Sequence, residues 1–512
     1  MKRVVALVAL LALLLGSIGG AAIFFSQMNF SDSAPERLDE EERGDVATPP
    51  EPDLAKYYSQ VVAWQSCGST FQCGWVTVPL DYAKPQGRTI KLLALKLPAR
   101  TDDRIGSLVV NPGGPGAPGT QYAAAGTSVF GDRLLDHFDV VGFDPRGTGS
   151  SRPVDCLSDE ELDDYLGGNP TPRTPAEVAE TDRQNRAFFE GCREKSGQLV
   201  DHVSTIEAAR DMDVLRAVLG EGRLDYFGAS YGTQLGATYA ELFPERVGHF
   251  VLDGGVDVSA DQVERSLVQA RGFETALRAY VADCVEKSSC PLEGSVEEGL
   301  AQVTELVEGL AEKPLPAGGD RPLTPGRAFY GIVMPLYNRD YWSLLTSGLQ
   351  KAFDGDGSGL LLTADLYASR GPDGFQDNST EAIVAINCLD DPSFVPLDEV
   401  PERFDEFEEA SPTFGRVFAW GLAGCEHFTG EPAEQIEIDG DGAAPIVVTG
   451  TTRDPATPLS WAEALADQLE SGVLIRRDGD GHTAYNAGNR CVDDAVEAYL
   501  LDGTVPDDGL SC

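Results

Sequence analysis

The sequence is poor in positive charge and in histidine. Its 512 residues include 39 Lys and Arg against 83 Asp and Glu, which gives a formal net charge of −44. Such a surface repels nucleic acid and anionic lipid headgroups, so we expect no nucleic acid partner, while peptides with a free, cationic amino terminus are tolerated or attracted. Only five histidines occur, and no Cys-x-x-Cys pair. Both features argue against a zinc site, so we predict no metal and no cofactor.

Charge is also missing from the amino terminus. After two basic residues at its start, no charged residue occurs until Asp32, and the apolar residues 4–25 approach the roughly 20 residues that a membrane helix needs. Residues 19–22 are small, which suits signal-peptidase cleavage. Residues 1–25 are therefore predicted to be a cleaved signal peptide or a retained membrane anchor. Either would export the rest of the chain, and an anchor would be its one contact with a membrane.

The cysteines fit an exported protein. There are ten, and an even number outside the predicted signal is typical of an oxidising compartment. Sequence spacing leaves several connectivities open, and our hypothesis is five local disulfides. The proposed pairs are Cys67 with Cys73, Cys156 with Cys192, Cys284 with Cys290, Cys388 with Cys425, and Cys491 with Cys512.

The chain divides into a linker and an interrupted core. Residues 26–56 are acidic and proline-rich, with almost nothing to bury, and are predicted to be a linker. Residues 57–257 begin with two alternating strand patterns and continue with apolar runs separated by amphipathic helical patterns, which predicts an α/β fold: a mostly parallel sheet with helices on both faces. Residues 258–435 are mainly helical in pattern and are interpreted as a cap insertion. Residues 436–512 resume the alternation and complete the core.

The stretch "LDYFGASYG" carries the strongest chemical signal. Ser230 lies between Gly228 and Gly232, after a strand pattern and before a helical one. In a nucleophile elbow, the residues two before and two after the serine crowd each other and must be small. The pattern predicts that Ser230 is an exposed nucleophile. A tight turn of small residues without chemistry is the alternative.

A serine nucleophile needs a base, and His482 is the best placed histidine. It lies in the glycine-rich loop "RRDGDGHTAY" after the predicted last strand. Asp454, in "GTTRDPATP", ends the preceding strand and is predicted to orient the imidazole. The order Ser230, Asp454, His482 is the one expected of α/β-hydrolases. For Asp454, the alternative is an ordinary turn residue before a proline.

A glycine-rich loop, "VVNPGGPGAPG", follows another strand pattern. Glycine lets the backbone approach a substrate closely and direct amides at a developing oxyanion. We expect one oxyanion donor from Gly114 or Gly113 and a second from Tyr231, the residue after the nucleophile. A flexible turn is the alternative. A phosphate-binding loop is disfavoured because no Lys-Ser or Lys-Thr follows.

Together, the motifs "NPGGPG", "DPRGTGSS", "GASYG", "RDPATP" and "GHTAY" resemble those of the secreted α/β-hydrolase peptidases of the tripeptidyl-aminopeptidase group, relatives of the proline iminopeptidases. The resemblance extends over nearly everything from about residue 60 to residue 512. It implies the α/β-hydrolase fold with a helical cap, and a serine mechanism with the site residues named above. Proline iminopeptidases carry a histidine where this chain has Asn-Pro, and commonly a tryptophan at the position of Tyr231. Both differences favour the tripeptidyl group.

An exopeptidase must also hold the ammonium of its substrate, which a carboxylate does through charge-assisted hydrogen bonds. The resembling group has an acidic residue in its cap, in a stretch matched here by "AINCLDD". The resemblance points to Asp390, with Asp391 and Glu426 as further candidates. A solvated acid near a disulfide is the alternative. In "DPRG", Asp144 and Arg146 are expected to form a structural ion pair and are not counted as catalytic.

The resemblance implies an exported serine aminopeptidase that releases short peptides, of tripeptide size, from free amino termini. A carboxylester hydrolase or lipase on the same fold is the alternative. A binding protein on an inactive hydrolase scaffold is disfavoured, because serine, histidine and aspartate are all present. The oligomeric state is left open.

Overall fold

The computed structural model describes residues 48–512. The predicted signal or anchor and most of the predicted linker lie outside the described residues. Within 48–512, ten strands form one sheet in the order β1-β2-β3-β5-β4-β6-β7-β10-β11-β12, and two further strands form a separate hairpin. The strands are β1 (Gln65–Ser66), β2 (Gln72–Pro79), β3 (Thr89–Leu97), β4 (Gly106–Asn111), β5 (Phe138–Phe143), β6 (Leu224–Ala229), β7 (Val247–Asp253), β8 (Arg370–Gly371), β9 (Gly374–Phe375), β10 (Ile446–Arg453), β11 (Gly472–Asp480) and β12 (Leu510–Ser511).

The sheet is antiparallel at one edge and parallel elsewhere. The predicted strand pair is present as β2 and β3, which are antiparallel from Gln72 opposite Lys96 to Pro79 opposite Thr89. β3 is also antiparallel to β5, and the pairs from β5 through β4, β6, β7, β10 and β11 to β12 are parallel. Every residue of β4 and β5 is buried, as expected for parallel strands covered on both faces. This is the α/β-hydrolase arrangement that the sequence predicts.

Helices cover both faces of the sheet and build two apolar cores with it. One face packs against helices Ala55–Tyr58, Thr205–Leu219, Tyr231–Leu242 and Leu459–Gln468. The other face packs against helices Gly119–Ala124, Gly126–Val129, Asp132–His137 and Arg490–Asp502. Helix Thr205–Leu219 shows how local sequence sets the ends. The Ser204 side chain accepts from the amide of Glu207 at the start, and Gly220 adopts the left-handed conformation at the end.

Two helical regions interrupt the core. The smaller follows β5 and contains helices Asp159–Gly167 and Pro175–Ser196. The larger lies between β7 and β10 and has apolar clusters of its own; it is called the cap below. It contains the β8–β9 hairpin and helices Gln262–Val285, Val296–Glu312, Pro325–Leu336, Trp342–Phe353, Ser358–Tyr367, Ser379–Asp390, Phe404–Ala410 and Gly415–Gly421.

The loop after β5 is held by a buried charge pair, although not by the expected one. The fully buried guanidinium of Arg146 donates through Nε and Nη2 to the two carboxylate oxygens of Asp211, at 2.8 Å each. Asp144 instead accepts the hydroxyl of Thr120 at 2.6 Å and the amide of Ser150 at 2.9 Å. The expected ion pair between Asp144 and Arg146 is therefore wrong. Arg146 pairs instead with a carboxylate on the helix Thr205–Leu219, 65 residues away in the sequence. This partner was not predicted from the sequence.

All ten cysteines lie in the part of the chain that the structure describes, and they form five disulfides. The pairs are Cys67–Cys73, Cys156–Cys192, Cys284–Cys290, Cys388–Cys425 and Cys491–Cys512. Such a set of bonds indicates an oxidising, extracytoplasmic environment. Across residues 48–512, no helix has both the length and the apolar character to cross a membrane.

Candidate active site

Ser230 lies on the sharp turn between β6 and the helix Tyr231–Leu242. Its φ of 57° and ψ of −126° are strained for a residue with a side chain, a strain that tends to occur at functional sites. A Cβ on Gly228 would lie 2.3 Å from the carbonyl oxygen of Gly232, and one on Gly232 would lie 2.9 Å from the carbonyl oxygen of Asn111. Only glycine fits either position. The turn has the geometry of a nucleophile elbow and leaves Ser230 partly exposed.

Asp454 and His482 meet at the same edge of the sheet. Asp454 directly follows β10, and its side chain is fully buried. Its two carboxylate oxygens lie 2.9 and 3.0 Å from Nδ1 of His482, which follows β11. The carboxylate also accepts the amides of Ala456, Thr457 and Thr483. With Nδ1 facing Asp454, Nε2 is the nitrogen left to accept a proton from a nucleophile.

The turn at the end of β7 joins the serine to the histidine. The amide of Ser230 donates to the carbonyl of Asp253 at 2.8 Å. A Cβ on the next residue, Gly254, would lie 3.6 Å from Cε1 of His482. The Asp253 carboxylate accepts the amides of Ala484 and Tyr485 and so fixes the histidine loop. Sequence reasoning missed Asp253, although its place at the end of "HFVLDGG" marks it as a strand-end residue of this edge.

Two opposing effects set the protonation of His482. Burial disfavours the imidazolium, but the charge of Asp454 and its hydrogen bond outweigh burial, so the pKa of His482 is raised above its usual 6.5. The backbone amide of His482 also donates to the carbonyl of Tyr337, at 2.8 Å. The bond to Asp454 orients the ring and the backbone bond fixes the loop that carries it, which suits a group that takes up and returns a proton.

The glycine loop after β4 packs directly against the serine. A Cβ on Gly113 would lie 2.8 Å from Cβ of Ser230 and 3.0 Å from the amide nitrogen of Tyr231. The amide of Gly113, however, donates to Oδ1 of Asn111 at 2.9 Å, so it is not available as the oxyanion donor that the sequence allowed. Among the described residues, the amides of Gly114 and Tyr231 have no acceptor. They remain the two candidate oxyanion donors.

The three acidic candidates for the substrate amine lie in different surroundings. Asp390 accepts the amide of Thr205 at 2.9 Å and its hydroxyl at 2.5 Å, and the same hydroxyl lies 2.5 Å from the Tyr231 hydroxyl. Asp391 instead forms an ion pair with Arg265. Glu426 accepts the amide of Leu397 at 3.2 Å. Only the first of the three is connected to the residue that follows the nucleophile.

Glu426 also lines a cavity of about 970 Å³ between the cap and the smaller helical region. The lining includes Phe329, Phe404, Phe414 and Trp420, but none of Ser230, Asp454 and His482. This cavity is therefore separate from the candidate catalytic residues. Glu426 lines this cavity, whereas Asp390 does not.

One cluster in the described part of the chain has the residue types of a metal site. The ligand atoms of Asp81, His202 and Glu207 lie within 4.8 Å of one another. Glu207 pairs with Arg146 at 3.1 Å, and Asp81 pairs with Lys84 at 2.9 Å. Because these cations already neutralise the two carboxylates, the cluster is explained as an ion-pair network.

Comparison with known proteins places the chain among peptidases and esterases. The family model described as "TAP-like protein" matches residues 411–512. The chain is 38% identical to the serine protease Hip1 of Mycobacterium tuberculosis over 475 residues, covering 88% of this chain and 91% of that protein. It is 37% identical to carboxylesterase B of the same species over 497 residues, with coverages of 92% and 93%. It is 31% identical to the tripeptidyl aminopeptidase of Streptomyces lividans over 469 residues, with coverages of 88% and 86%.

Proposed function

Because the chain belongs to the tripeptidyl-aminopeptidase family of α/β-hydrolase serine hydrolases, we propose that it is an exported aminopeptidase that releases tripeptides from free amino termini. The names of two relatives, a serine protease and a tripeptidyl aminopeptidase, support peptides as its substrates. The observation that carries the proposal is the pairing of His482 with buried Asp454 beside the strained turn at Ser230.

In the first half of the reaction, the Ser230 oxygen attacks the scissile carbonyl while Nε2 of His482 takes the hydroxyl proton. Asp454 holds the imidazole in the required tautomer and stabilises the imidazolium. His482 then gives the proton to the leaving amine, the carbon–nitrogen bond breaks, and the acyl group stays on Ser230. In the second half, water attacks the ester carbonyl while His482 takes a proton from it, and His482 then passes this proton to the Ser230 oxygen as the bond from that oxygen to the acyl carbon breaks.

The amides of Gly114 and Tyr231 are the proposed donors to the oxyanion of both tetrahedral intermediates. Both amides are held in place by the backbone before substrate binds. No free energy of reorganisation is therefore needed when this charge develops. One such donor is worth about 10²–10³ in turnover. Gly113 contributes by shape rather than by a hydrogen bond, because any side chain there would collide with Ser230.

Asp390 is the proposed partner of the substrate ammonium. Its hydrogen-bond chain runs through Thr205 to the Tyr231 hydroxyl, which links it to the nucleophile elbow. Burial raises the pKa of Asp390 to about 6, although hydrogen bonds from Thr205 oppose this shift. The group is therefore ionised at neutral pH and largely desolvated, the state in which a carboxylate binds an ammonium most strongly.

The proposal includes export of the protein from the cytoplasm. Five disulfides support a location outside the cytoplasm. We propose residues 1–25 as the export signal or anchor, residues 26–56 as the linker, and residues 258–435 as the cap over a core formed by residues 57–257 and 436–512. Mass spectrometry of the amino terminus of protein from the culture medium and from the membrane fraction would tell a cleaved signal from an anchor.

The central experiment uses a tripeptide joined to a fluorogenic amine, with the amino terminus either free or acetylated. Wild-type enzyme is expected to release the fluorophore from the free peptide and to lose at least about a hundredfold in kcat/KM on the acetylated one, as a charged group left unpaired costs several kcal/mol. A fluorophosphonate probe should label Ser230, and Ser230→Ala should abolish both labelling and turnover. Failure of the intact protein to react with the probe would overturn the serine mechanism.

The amine site is tested by Asp390→Asn, which keeps the size of the side chain but removes its charge. We expect KM for the free-amine substrate to rise about tenfold or more, with a smaller effect on the acetylated substrate. Asp398→Asn is the matched control, because it removes an exposed charge of the same cap that no described contact joins to the elbow. Equal effects of the two variants would show that Asp390 acts only through the net electrostatic field of the cap and not by contact with the ammonium.

A second candidate function is hydrolysis of carboxylesters, which the similarity to a carboxylesterase favours. The same acyl-enzyme would form, but the substrate would need no ammonium. If so, short acyl esters without an amino group should be turned over with a kcat/KM above that of free-amine peptides, and Asp390→Asn should leave this activity unchanged.

A further inference from the structure

Three tyrosine rings of the cap lead away from His482. The ring of Tyr337 meets the imidazole edge to face, with 5.2 Å between centroids and 84° between planes. The ring of Tyr367 lies 6.3 Å from that of Tyr337, and Tyr330 stacks on Tyr367 at 5.0 Å with 28° between planes. These three rings, called the tyrosine wall below, form a continuous aromatic surface that begins at the imidazole.

The backbone fixes the start of this surface. Tyr337 directly follows the helix Pro325–Leu336, and its carbonyl accepts the amide of His482 at 2.8 Å. Gly481 lies so close that a Cβ on it would be 2.9 Å from the same carbonyl oxygen. The cap therefore holds the histidine loop through a main-chain contact. This contact fixes the backbone of Tyr337 beside that of His482.

The far part of the wall is open to water. Tyr367 keeps 39% of its surface exposed, although burial raises its pKa. A ring that is crowded by protein and still reaches water lines a cleft rather than a core. Burial also raises the pKa of Tyr337 and Tyr330, so all three hydroxyls are neutral at physiological pH. The surface is thus uncharged and aromatic in an otherwise acidic protein.

The two ends of a bound peptide have different neighbours. Asp390, the proposed amine site, connects to the Tyr231 side of the nucleophile. The tyrosine wall instead connects to His482. Because His482 gives its proton to the leaving amine, the first residue of the leaving peptide must lie beside the imidazole. We infer that the tyrosine wall is the subsite for this residue, and that it selects aromatic and large aliphatic side chains.

The inference rests on the proposed function and adds the preference on the leaving side of the cut. Aromatic side chains pair favourably with tyrosine rings in edge-to-face or offset geometry, and large aliphatic ones lose water-exposed surface against them. A carboxylate would have no cation to meet on the wall. The enzyme would therefore cut fastest before a large apolar residue and slowly before glycine, aspartate or glutamate.

The first test compares free-amine peptides of the form Ala-Ala-Ala-X-amide, with X as Phe, Leu or Gly. Wild-type enzyme is expected to favour Phe over Gly by about tenfold to a hundredfold in kcat/KM, the range of an apolar pocket. Tyr367→Ala should reduce this ratio to about two or less, chiefly by lowering kcat/KM for the Phe substrate. Tyr367→Phe should retain the preference, because it retains the ring.

Tyr341→Ala is the matched control. Tyr341 also lies in the cap and is 37% exposed, close to the value for Tyr367, but it has no ring contact with the wall among the described residues. In Tyr341→Ala, the ratio of kcat/KM for the Phe peptide to that for the Gly peptide should equal the wild-type ratio. Equal ratios in wild type, Tyr367→Ala and Tyr341→Ala would overturn the inference. If wild type cleaved none of these peptides, the proposed function itself would fail.

A second measurement separates the two sides of the cut. The acyl-enzyme is formed from a tripeptide methyl ester, and phenylalanine amide or glycine amide is added as competing nucleophile. The amine nitrogen attacks the acyl carbon, the bond to the Ser230 oxygen breaks, and His482 passes the amine proton to that oxygen. Wild type should capture phenylalanine amide at least about five times more efficiently than glycine amide, and Tyr367→Ala should not. If Tyr367→Ala instead altered selection of the third acyl residue, the wall would belong to the acyl side and the inference would be wrong.

Discussion

Both carboxylate oxygens of Asp454 face Nδ1 of His482, at 2.9 and 3.0 Å, from a side chain with no exposed surface. The same carboxylate accepts backbone amides from its own loop and from the histidine loop. Because these hydrogen bonds fix the carboxylate of Asp454, the carboxylate holds the imidazole of His482 in one orientation. The proposed mechanism therefore depends on this pair to keep Nε2 available for the nucleophile.

We predict that Asp454→Asn lowers kcat by about 10⁴-fold, because an amide cannot accept all of these donors and favours the wrong imidazole tautomer. The measurement is kcat on a fluorogenic tripeptide amide, with the thermal unfolding midpoint recorded alongside. Asp478→Asn is the control, since Asp478 is exposed near the same loop and pairs with Arg453 at 3.0 Å. A comparable loss in Asp478→Asn would remove the special role of Asp454.

Gly113→Ala is predicted to lower kcat by about a hundredfold or more through displaced oxyanion donors. The added Cβ would lie 2.6 Å from the carbonyl oxygen of Ala229 and 2.8 Å from Cβ of Ser230, so the elbow must shift. Gly220→Ala controls for backbone strain alone. Gly220 also has a positive φ, of 80°, but a Cβ there meets nothing within 4 Å. It should lose about 1 kcal/mol of stability and keep its kcat.

The pH profile is predicted to have two separate acid limbs. The raised pKa of His482 means that the neutral imidazole is lost as pH falls through a value above 6.5, which lowers kcat for every substrate. Asp390, with a pKa of about 6, must be ionised to bind ammonium, so KM for free-amine peptides should rise as pH falls through that value. An ester without an amino group should show the first limb only. A KM that is independent of pH for both substrates would contradict the amine site.

The disulfide between Cys388 and Cys425 is predicted to contribute more stability than the one between Cys67 and Cys73. It closes a sequence separation of 37 rather than 6. Replacing both cysteines of the long loop by serine should lower the free energy of unfolding by about 2–4 kcal/mol. The same change in the short loop should lower it by about 1.5 kcal/mol less, if loop entropy dominates. Denaturant unfolding of the two double variants measures the difference. An equal or reversed order would show that packing around the bonds decides their contribution.

Local sequence determined much of the core. The elbow at Ser230 could be predicted because a strand, two small residues and a helix within a few positions are enough to specify it. The alternation of strands and helices follows from apolar periodicity, and each disulfide joins two cysteines that have no other cysteine between them in the sequence. The order of Ser230, Asp454 and His482 along the chain was informative because each follows a parallel strand, and such strands end at one edge of the sheet.

The tertiary structure alone decided between chemically equal groups. Asp390 and Asp391 are adjacent in sequence, yet one bonds to Thr205 and the other to Arg265. Likewise, the buried Arg146 pairs with Asp211 rather than with its near neighbour Asp144.

The same holds for the loop beside the nucleophile, where the sequence does not distinguish which of two consecutive glycines, Gly113 or Gly114, is the oxyanion donor. Folding gives the amide of Gly113 to the side chain of Asn111 and leaves that of Gly114 without an acceptor among the described residues. A sequence pattern reports the type of a polar group, but its partner is set by the folded conformation of its own loop, as at Gly113, or by the distant element that packs against it, as at Asp390. Burial makes that partner obligatory, because an unpaired polar group away from water costs free energy.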